Sequence, residues 1–161
     1  MKSKIAHNIK HRLYANDEFP TPPELCKELI SKLSIESCSV VLEPAVGCGN
    51  FYNAFLDIWN KRKTNDFNSW DKKVDWIVSN PPYSQIDCFL DKSCDIARVG
   101  FAYLLTLHNL TPKRIEMCEQ KGFGITSIFL CKVFHWFGIS AFIIWEKDKK
   151  SIITYDRIVW R

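Results

Sequence analysis

Apolar and polar positions along this chain fall into blocks that read alternately as helices and strands. Leu25, Leu29, Ile30 and Leu33 recur at helical spacing and mark one apolar face. Thr21-Pro22-Pro23-Glu24 just before them predicts an N-cap at Thr21, with Pro at N1 and Glu at N3. Val40-Val41-Leu42 is a short continuous apolar run and Val74 to Ser79 a longer one, and both predict buried strands. Ile86, Phe89, Leu90, Ile96 and Ala97 return to the helical period, and Phe101 to Leu107 predicts a long buried strand. Thr111-Pro112 opens a helix that Lys121-Gly122 closes, with a cation in the last turn and glycine just past it. Ile125 to Phe134 and Ile139 to Glu146 predict a hairpin around Phe137-Gly138, and Ser151 to Trp160 a last strand. This alternation predicts an α/β fold. Because the runs are apolar on both faces, the sheet is expected to be doubly wound and mostly parallel, covered on both sides.

Composition narrows the class. A chain of 161 residues fits one domain, and 47% hydrophobic with 25% charged residues is the balance of a globular protein. No apolar run approaches the roughly 20 residues that span a bilayer, so no membrane is expected as a partner. The N-terminus lacks an apolar signal core, which predicts an intracellular location. Seven cysteines without a C-x-x-C pair predict reduced, mostly buried thiols. His7 and His11 have i,i+4 spacing but no matching Cys or acidic pair, so no metal site is predicted. The net charge of +4 is mild. Its distribution adds that residues 1–14 hold Lys2, Lys4, Lys10 and Arg12 with no acid. Residues 1–16 therefore read as a basic arm that either tracks phosphates or serves as a solubilising tail.

Candidate chemistry lies at the ends of two predicted strands. The run from Val74 stops at Asn80-Pro81-Pro82-Tyr83. An amine attached to a π-system is a poor nucleophile, because its lone pair is delocalised. Two acceptors on its two hydrogens localise that pair and aim it. The Asn80 side-chain oxygen and the Pro81 carbonyl can be those acceptors. Pro81 and Pro82 fix φ and remove two backbone donors that would compete. Tyr83 offers a face for a planar base. The bland alternative is a Pro-Pro turn that ends a strand. Val40 to Leu42 runs into Glu43-Pro44-Ala45-Val46-Gly47-Cys48-Gly49-Asn50-Phe51, a strand, Gly-x-Gly turn and helix. Such a turn lets backbone approach a ligand closely beside a helix N-terminus. Glu43 at the strand end suits an ammonium group better than a pyrophosphate.

Phe19-Pro20-Thr21-Pro22-Pro23, then Glu43 to Phe51, Asp66-Phe67 and Asn80 to Tyr83, resemble the ordered motifs of AdoMet-dependent amino-methyltransferases. The pattern is most similar to the N6-adenine DNA methyltransferases, especially the minimal kind found in phages, which would act inside a host cell. The resemblance covers about residues 17–107. It implies a methyltransferase domain over residues 17–161, with the sheet closed by an antiparallel hairpin at one edge. Thr21 and Pro22 would sit by the methionine carboxylate of AdoMet. Glu43, Gly47 and Gly49 would line its methionine and ribose, with Phe51 beside it. Asp66 would accept from its adenine N6, and Phe67 would lie against that ring. Asn80, Pro81, Pro82 and Tyr83 would hold the target amine. DNA is the implied partner. RNA adenine and a protein glutamine amide share the same motif chemistry and stay open.

The family's second strand usually ends in an acid for the ribose hydroxyls. Here a vestigial strand is expected at Ile58-Trp59-Asn60, followed by Lys61-Arg62-Lys63 as a basic surface turn. That departure also leaves open a degenerate, nucleic-acid-binding subunit that supports an active partner or oligomer. No separate target-recognition domain is expected. Readout would then fall to His108-Asn109-Leu110 or to the hairpin tip, where Trp136 and Phe137 either stack on a base or pack the hairpin.

Overall fold

Residues that alternate along each strand leave for opposite sides of one sheet, and each side meets its own layer of helices. The computed structural model of the protein describes residues 20–55, 60–132 and 139–153. The elements are α1 (Pro23–Ile30), β1 (Val41–Glu43), α2 (Asn50–Ala54), β2 (Lys61–Lys63), β3 (Val74–Ser79), α3 (Ile86–Ile96), β4 (Ala97–Thr106), α4 (Pro112–Gln120), β5 (Phe123–Cys131) and β6 (Ser140–Lys147). Single 3₁₀ turns occupy Tyr83–Gln85 and Leu107–Asn109. The six strands form one sheet in the order β2-β1-β3-β4-β6-β5. β2, β1, β3 and β4 run parallel. β6 lies antiparallel between β4 and β5. The fold is thus the expected doubly wound, mostly parallel sheet with an antiparallel hairpin at one edge.

Leu42, Ile77, Phe101, Tyr103, Leu105, Ile143 and Trp145 face α3 and α4, where they meet Ile86, Phe89, Leu90, Ile115 and Cys118. Val41, Trp76, Val78, Ala102, Leu104, Phe142 and Ile144 face the other way, toward Cys26 and Leu29 of α1 and Phe51 of α2. Each central strand therefore buries both faces, which explains its uninterrupted apolar character. Tyr103 is fully buried and shares a 2.6 Å hydrogen bond with Ser93, so its hydroxyl does not lie unpaired in the core.

Several boundaries differ from expectation. β1 is Val41–Glu43 rather than Val40 to Leu42, because the Val40 amide donates to the Asp75 carboxylate (2.7 Å) outside the ladder. Thr21 is not the cap of α1. Pro22 takes that place without a side-chain bond, and its carbonyl accepts the first helical bond from the Cys26 amide (3.0 Å). β4 begins at Ala97, directly after α3, and ten residues let it pair with both β3 and β6. The hairpin forms in the expected place, though β5 already starts at Phe123. Its tip at residues 133–138, with His135, Trp136 and Phe137, lies outside the described residues. The expected strand at Ser151 to Trp160 is described only to residue 153, and that part is not a strand, although the Ile152 amide donates to the Ile125 carbonyl.

The sheet edge also differs from expectation. Ile58 and Trp59 lie outside the described residues, and Asn60 forms a turn. The strand is Lys61-Arg62-Lys63 itself, paired with β1 from Val41↔Lys61 to Glu43↔Lys63. A triplet of cations is tolerated because Lys61 and Lys63 share one side and lie over the Tyr52 ring, at 4.7 and 4.8 Å from its centre. Charged side chains also discourage further strand pairing at an edge.

Candidate active site

The strand order reverses direction at β1, with β2 on one side and β3 on the other. Open α/β sheets bind ligands at the carboxyl ends of strands beside such a switch point. A cavity of about 690 Å³ occupies that position. Its wall comes from three successive strand ends: Glu43 to Cys48, Asn50 and Phe51 after β1; residues 65–68 after β2; and Asn80, Pro82, Gln85 and Phe89 after β3. Pro20 and Thr21 complete it. The volume lies within the usual range for a small-molecule site, about 300–1,000 Å³.

The Gly-x-Gly turn takes its shape from backbone freedom. Gly47 and Gly49 have φ of 45° and 77°, a region that L side chains disfavour. The Gly49 amide donates to the Val46 carbonyl (2.6 Å), so the chain reverses tightly before α2. An added Cβ at Gly47 would meet nothing nearer than the Ala45 carbonyl at 4.0 Å. Conformation, not crowding by the protein, is what requires glycine there.

Glu43 is only 2% exposed, and the Tyr52 amide of α2 donates to its Oε2 (2.6 Å). Burial pushes its pKa up to about 8, an effect that the Tyr52 N–H and the nearby Lys63 ammonium oppose. Glu43 therefore caps a helix and borders the cavity at once. Thr21 is 4% exposed, and its Oγ1 has no hydrogen-bond partner. Since it does not cap α1, that hydroxyl is an orphaned buried polar atom of a residue that lines the cavity. The Asn50 side-chain NH2 donates to the Thr21 carbonyl (2.7 Å) and pins this segment to the start of α2.

Across the cavity, Asp66 is exposed, and its carboxylate accepts from the Ser69 hydroxyl (2.6 Å) and amide (3.3 Å). These two bonds brace the 65–68 loop and still leave acceptor capacity on the two oxygens. Phe67 is 3% exposed and packs on Phe89, with ring centres 5.0 Å apart. Its first role is thus core, with one edge on the cavity. Phe51 likewise stacks toward Phe142, at 6.4 Å, while contributing to the wall.

Of the residues singled out from the sequence, the cavity unites Thr21, Glu43, Gly47, Phe51, Asp66, Phe67, Asn80 and Pro82. Pro22, Gly49, Pro81 and Tyr83 adjoin those residues without forming the wall. Pro81 is buried, and Tyr83 is half-buried against the α3 side of the core. Lys2, Lys4, Lys10, Arg12 and Trp136 lie outside the described residues. The sequence reading missed Asn50, Asn65, Asn68, Gln85 and Phe89 in the wall. Gln85 and Phe89 have i,i+4 spacing at the start of α3, the one signal that would have paired them.

No known protein family matches the chain by sequence, and no curated protein does. Solved structures do match. The M protein of the type I restriction enzyme EcoKI superposes with a TM-score of 0.63 at 15% identity, over 89% of this chain and 47% of that one. The chain thus spans about half that protein's length. The N-methyltransferase NodS of Bradyrhizobium japonicum, solved with S-adenosyl-L-homocysteine, gives 0.62 at 11% identity over 89% and 98%. A methyltransferase of Pyrococcus furiosus gives 0.59 at 16% identity over 89% and 95%. The chain has the Rossmann-like methyltransferase fold. At such identities the likeness speaks for the fold alone, so the chemistry must be argued from the cavity.

Proposed function

We propose that this protein binds AdoMet in the cavity at the β1–β3 switch point and methylates the N6 amine of adenine in DNA. The observation that carries the reading is the convergence of the Gly47–Gly49 turn, the Asp66-Phe67 loop and Asn80 on one cavity. The donor set fits a zwitterionic nucleoside. Thr21 supplies an unpartnered hydroxyl and Glu43 an acid for an ammonium, while Asp66 offers acceptors beside the edge of Phe67. Bound AdoMet would supply an electrophilic methyl carbon.

The remaining work falls to the chain. Asn80 Oδ1 and the Pro81 carbonyl take the two hydrogens of the target amine and localise its lone pair. Pro81 and Pro82 bring no N–H to compete for those acceptors. The turn that follows is fixed by the Gln85 amide donating to the Pro82 carbonyl (3.0 Å), which holds the segment's shape. Tyr83 receives the base on its ring after the base leaves the stack. Residues 1–16, with Lys2, Lys4, Lys10 and Arg12, contact phosphates, and Trp136 at the hairpin tip contacts the nucleic acid.

The test is incubation with methyl-labelled AdoMet and separate DNA, RNA and protein pools, followed by nucleoside and amino-acid analysis. Label on N6-methyladenine in DNA supports the reading. Label on RNA adenine or on glutamine keeps the amine chemistry and replaces the substrate. No transfer to any pool, together with no AdoMet binding, leaves a nucleic-acid-binding subunit that depends on an active partner.

A further inference from the structure

The loop after β3 lines the cavity, and one guanidinium ties the helix that follows it to the loop after β4. Arg114 on the first turn of α4 is mostly buried, with 18% of its side chain exposed. Its Nε donates to Asp87 Oδ1 (2.6 Å) on the first turn of α3. Its Nη1 donates to both the backbone carbonyl (2.9 Å) and the side-chain oxygen (3.0 Å) of Asn109. Asn109 Nδ2 in turn donates to Thr106 Oγ1 (2.9 Å) at the end of β4. The Arg114 hydrogen bond holds the Asp87 carboxyl below its ordinary range, so this pair is charged across neutral pH. Asp87 lies four residues after Tyr83. Tyr83, Leu107 and Leu110 pack against the same core. The clamp therefore ties the start of α3, four residues after Tyr83, to the Leu107–Leu110 turn, on which His108 is exposed.

α3 and α4 are joined a second time at their far ends, where Lys121 bonds Asp91 (2.6 Å) and Asp95 (2.8 Å). Stability alone would be served by either pair. What distinguishes the Arg114 clamp is that Asp87 lies between Gln85 and Phe89, both in the cavity wall that also holds Asn80. We infer that Arg114 is a positioning residue: through Asp87 and Asn109 it presets the geometry in which Asn80 and Tyr83 meet the target. This rests on the proposed function for its chemical consequence, but the clamp itself can be tested apart from it.

Arg114→Lys and Asp87→Asn should cut the single-turnover methylation rate by about ten- to a hundredfold at saturating DNA and AdoMet, the scale for a misplaced reacting group. AdoMet affinity should stay unchanged. Lys cannot reproduce the fork that reaches Asp87 and Asn109 together, so charge alone gives no rescue. Lys121→Ala, which unties the same two helices elsewhere, should leave the rate unchanged. Amide exchange at 82–86 and 107–111 should rise together in Arg114→Lys and not in Lys121→Ala. Equal rate losses in the Arg114 and Lys121 variants, or unchanged rates in the Arg114 and Asp87 variants, would overturn the inference and leave the proposed function standing. Unchanged exchange would show that no clamp exists, whatever the activity.

Discussion

Titration of Glu43 links the fold to the proposed cofactor. Burial raises its pKa to about 8, so at pH 7 roughly one folded molecule in ten carries the carboxylate. If the cofactor ammonium requires that ionised form, AdoMet affinity should rise about tenfold for each pH unit between 5.5 and 7. About one proton should leave per cofactor bound at pH 7. Glu43→Gln keeps an oxygen for the Tyr52 N–H, so α2 stays capped, and it should bind at one affinity over the same range. Calorimetry in two buffers of different ionisation enthalpy reads the proton count directly. Stability must move as well. An acid raised from 4.5 when unfolded to about 8 when folded contributes its full stability below pH 4.5 and loses it as pH rises through 8. Across that window the wild type should lose up to about 5 kcal/mol that the Gln variant keeps. Denaturant melts at pH 4.5 and 8 give that difference. Parallel pH slopes in the two proteins, for affinity and for stability, would refute the reasoning.

Asn80→Ala should slow single-turnover methylation of adenine-containing DNA at least about a hundredfold while sparing AdoMet binding, and a near-normal rate would return the motif to a plain turn. Tyr83→Ala should instead weaken capture of the flipped base by about 1–3 kcal/mol, read as DNA affinity in a titration. Asp66→Ala should weaken AdoMet binding by about 0.5–1.5 kcal/mol in calorimetry, the net worth of one hydrogen bond to an exposed acceptor. Deletion of residues 1–14 should flatten the slope of log DNA affinity against log salt, and an unchanged slope would make that arm a tail.

The fold was legible because periodicity and burial are the same information. Val74 to Ser79 could be bounded from the sequence because its apolar run ends at Asn80-Pro81, where the backbone can no longer donate. α4 was legible at both ends: the Thr111 side chain accepts from the Arg114 amide, and Gly122 takes a φ of 83°. β2 was not legible. Three consecutive cations carry no apolar period, and what makes them a strand is the ladder to β1 and the Tyr52 ring beneath Lys61 and Lys63. Tertiary contacts decide such an element, and a local reading assigns it to a turn.

The candidate site divides along the same line. Gly47, Gly49 and the prolines at 81 and 82 announce themselves because glycine permits a positive φ and proline fixes φ, and both signals are local. Thr21 entered the site by motif resemblance alone, since its local sequence setting is that of a helix cap. Only the structure shows that Pro22 takes that place and leaves the hydroxyl buried without a partner. Arg114 is further from legibility still. Its partners Asp87 and Asn109 are 27 and 5 residues away, and neither spacing is a helical neighbour relation. Residues that bear the chemistry can therefore be proposed from motif order, whereas those that hold the bearers in place are chosen by whichever loops the sheet brings together. The β3 and β4 loops are adjacent only because β4 is the parallel neighbour of β3, and that adjacency is a property of the sheet order.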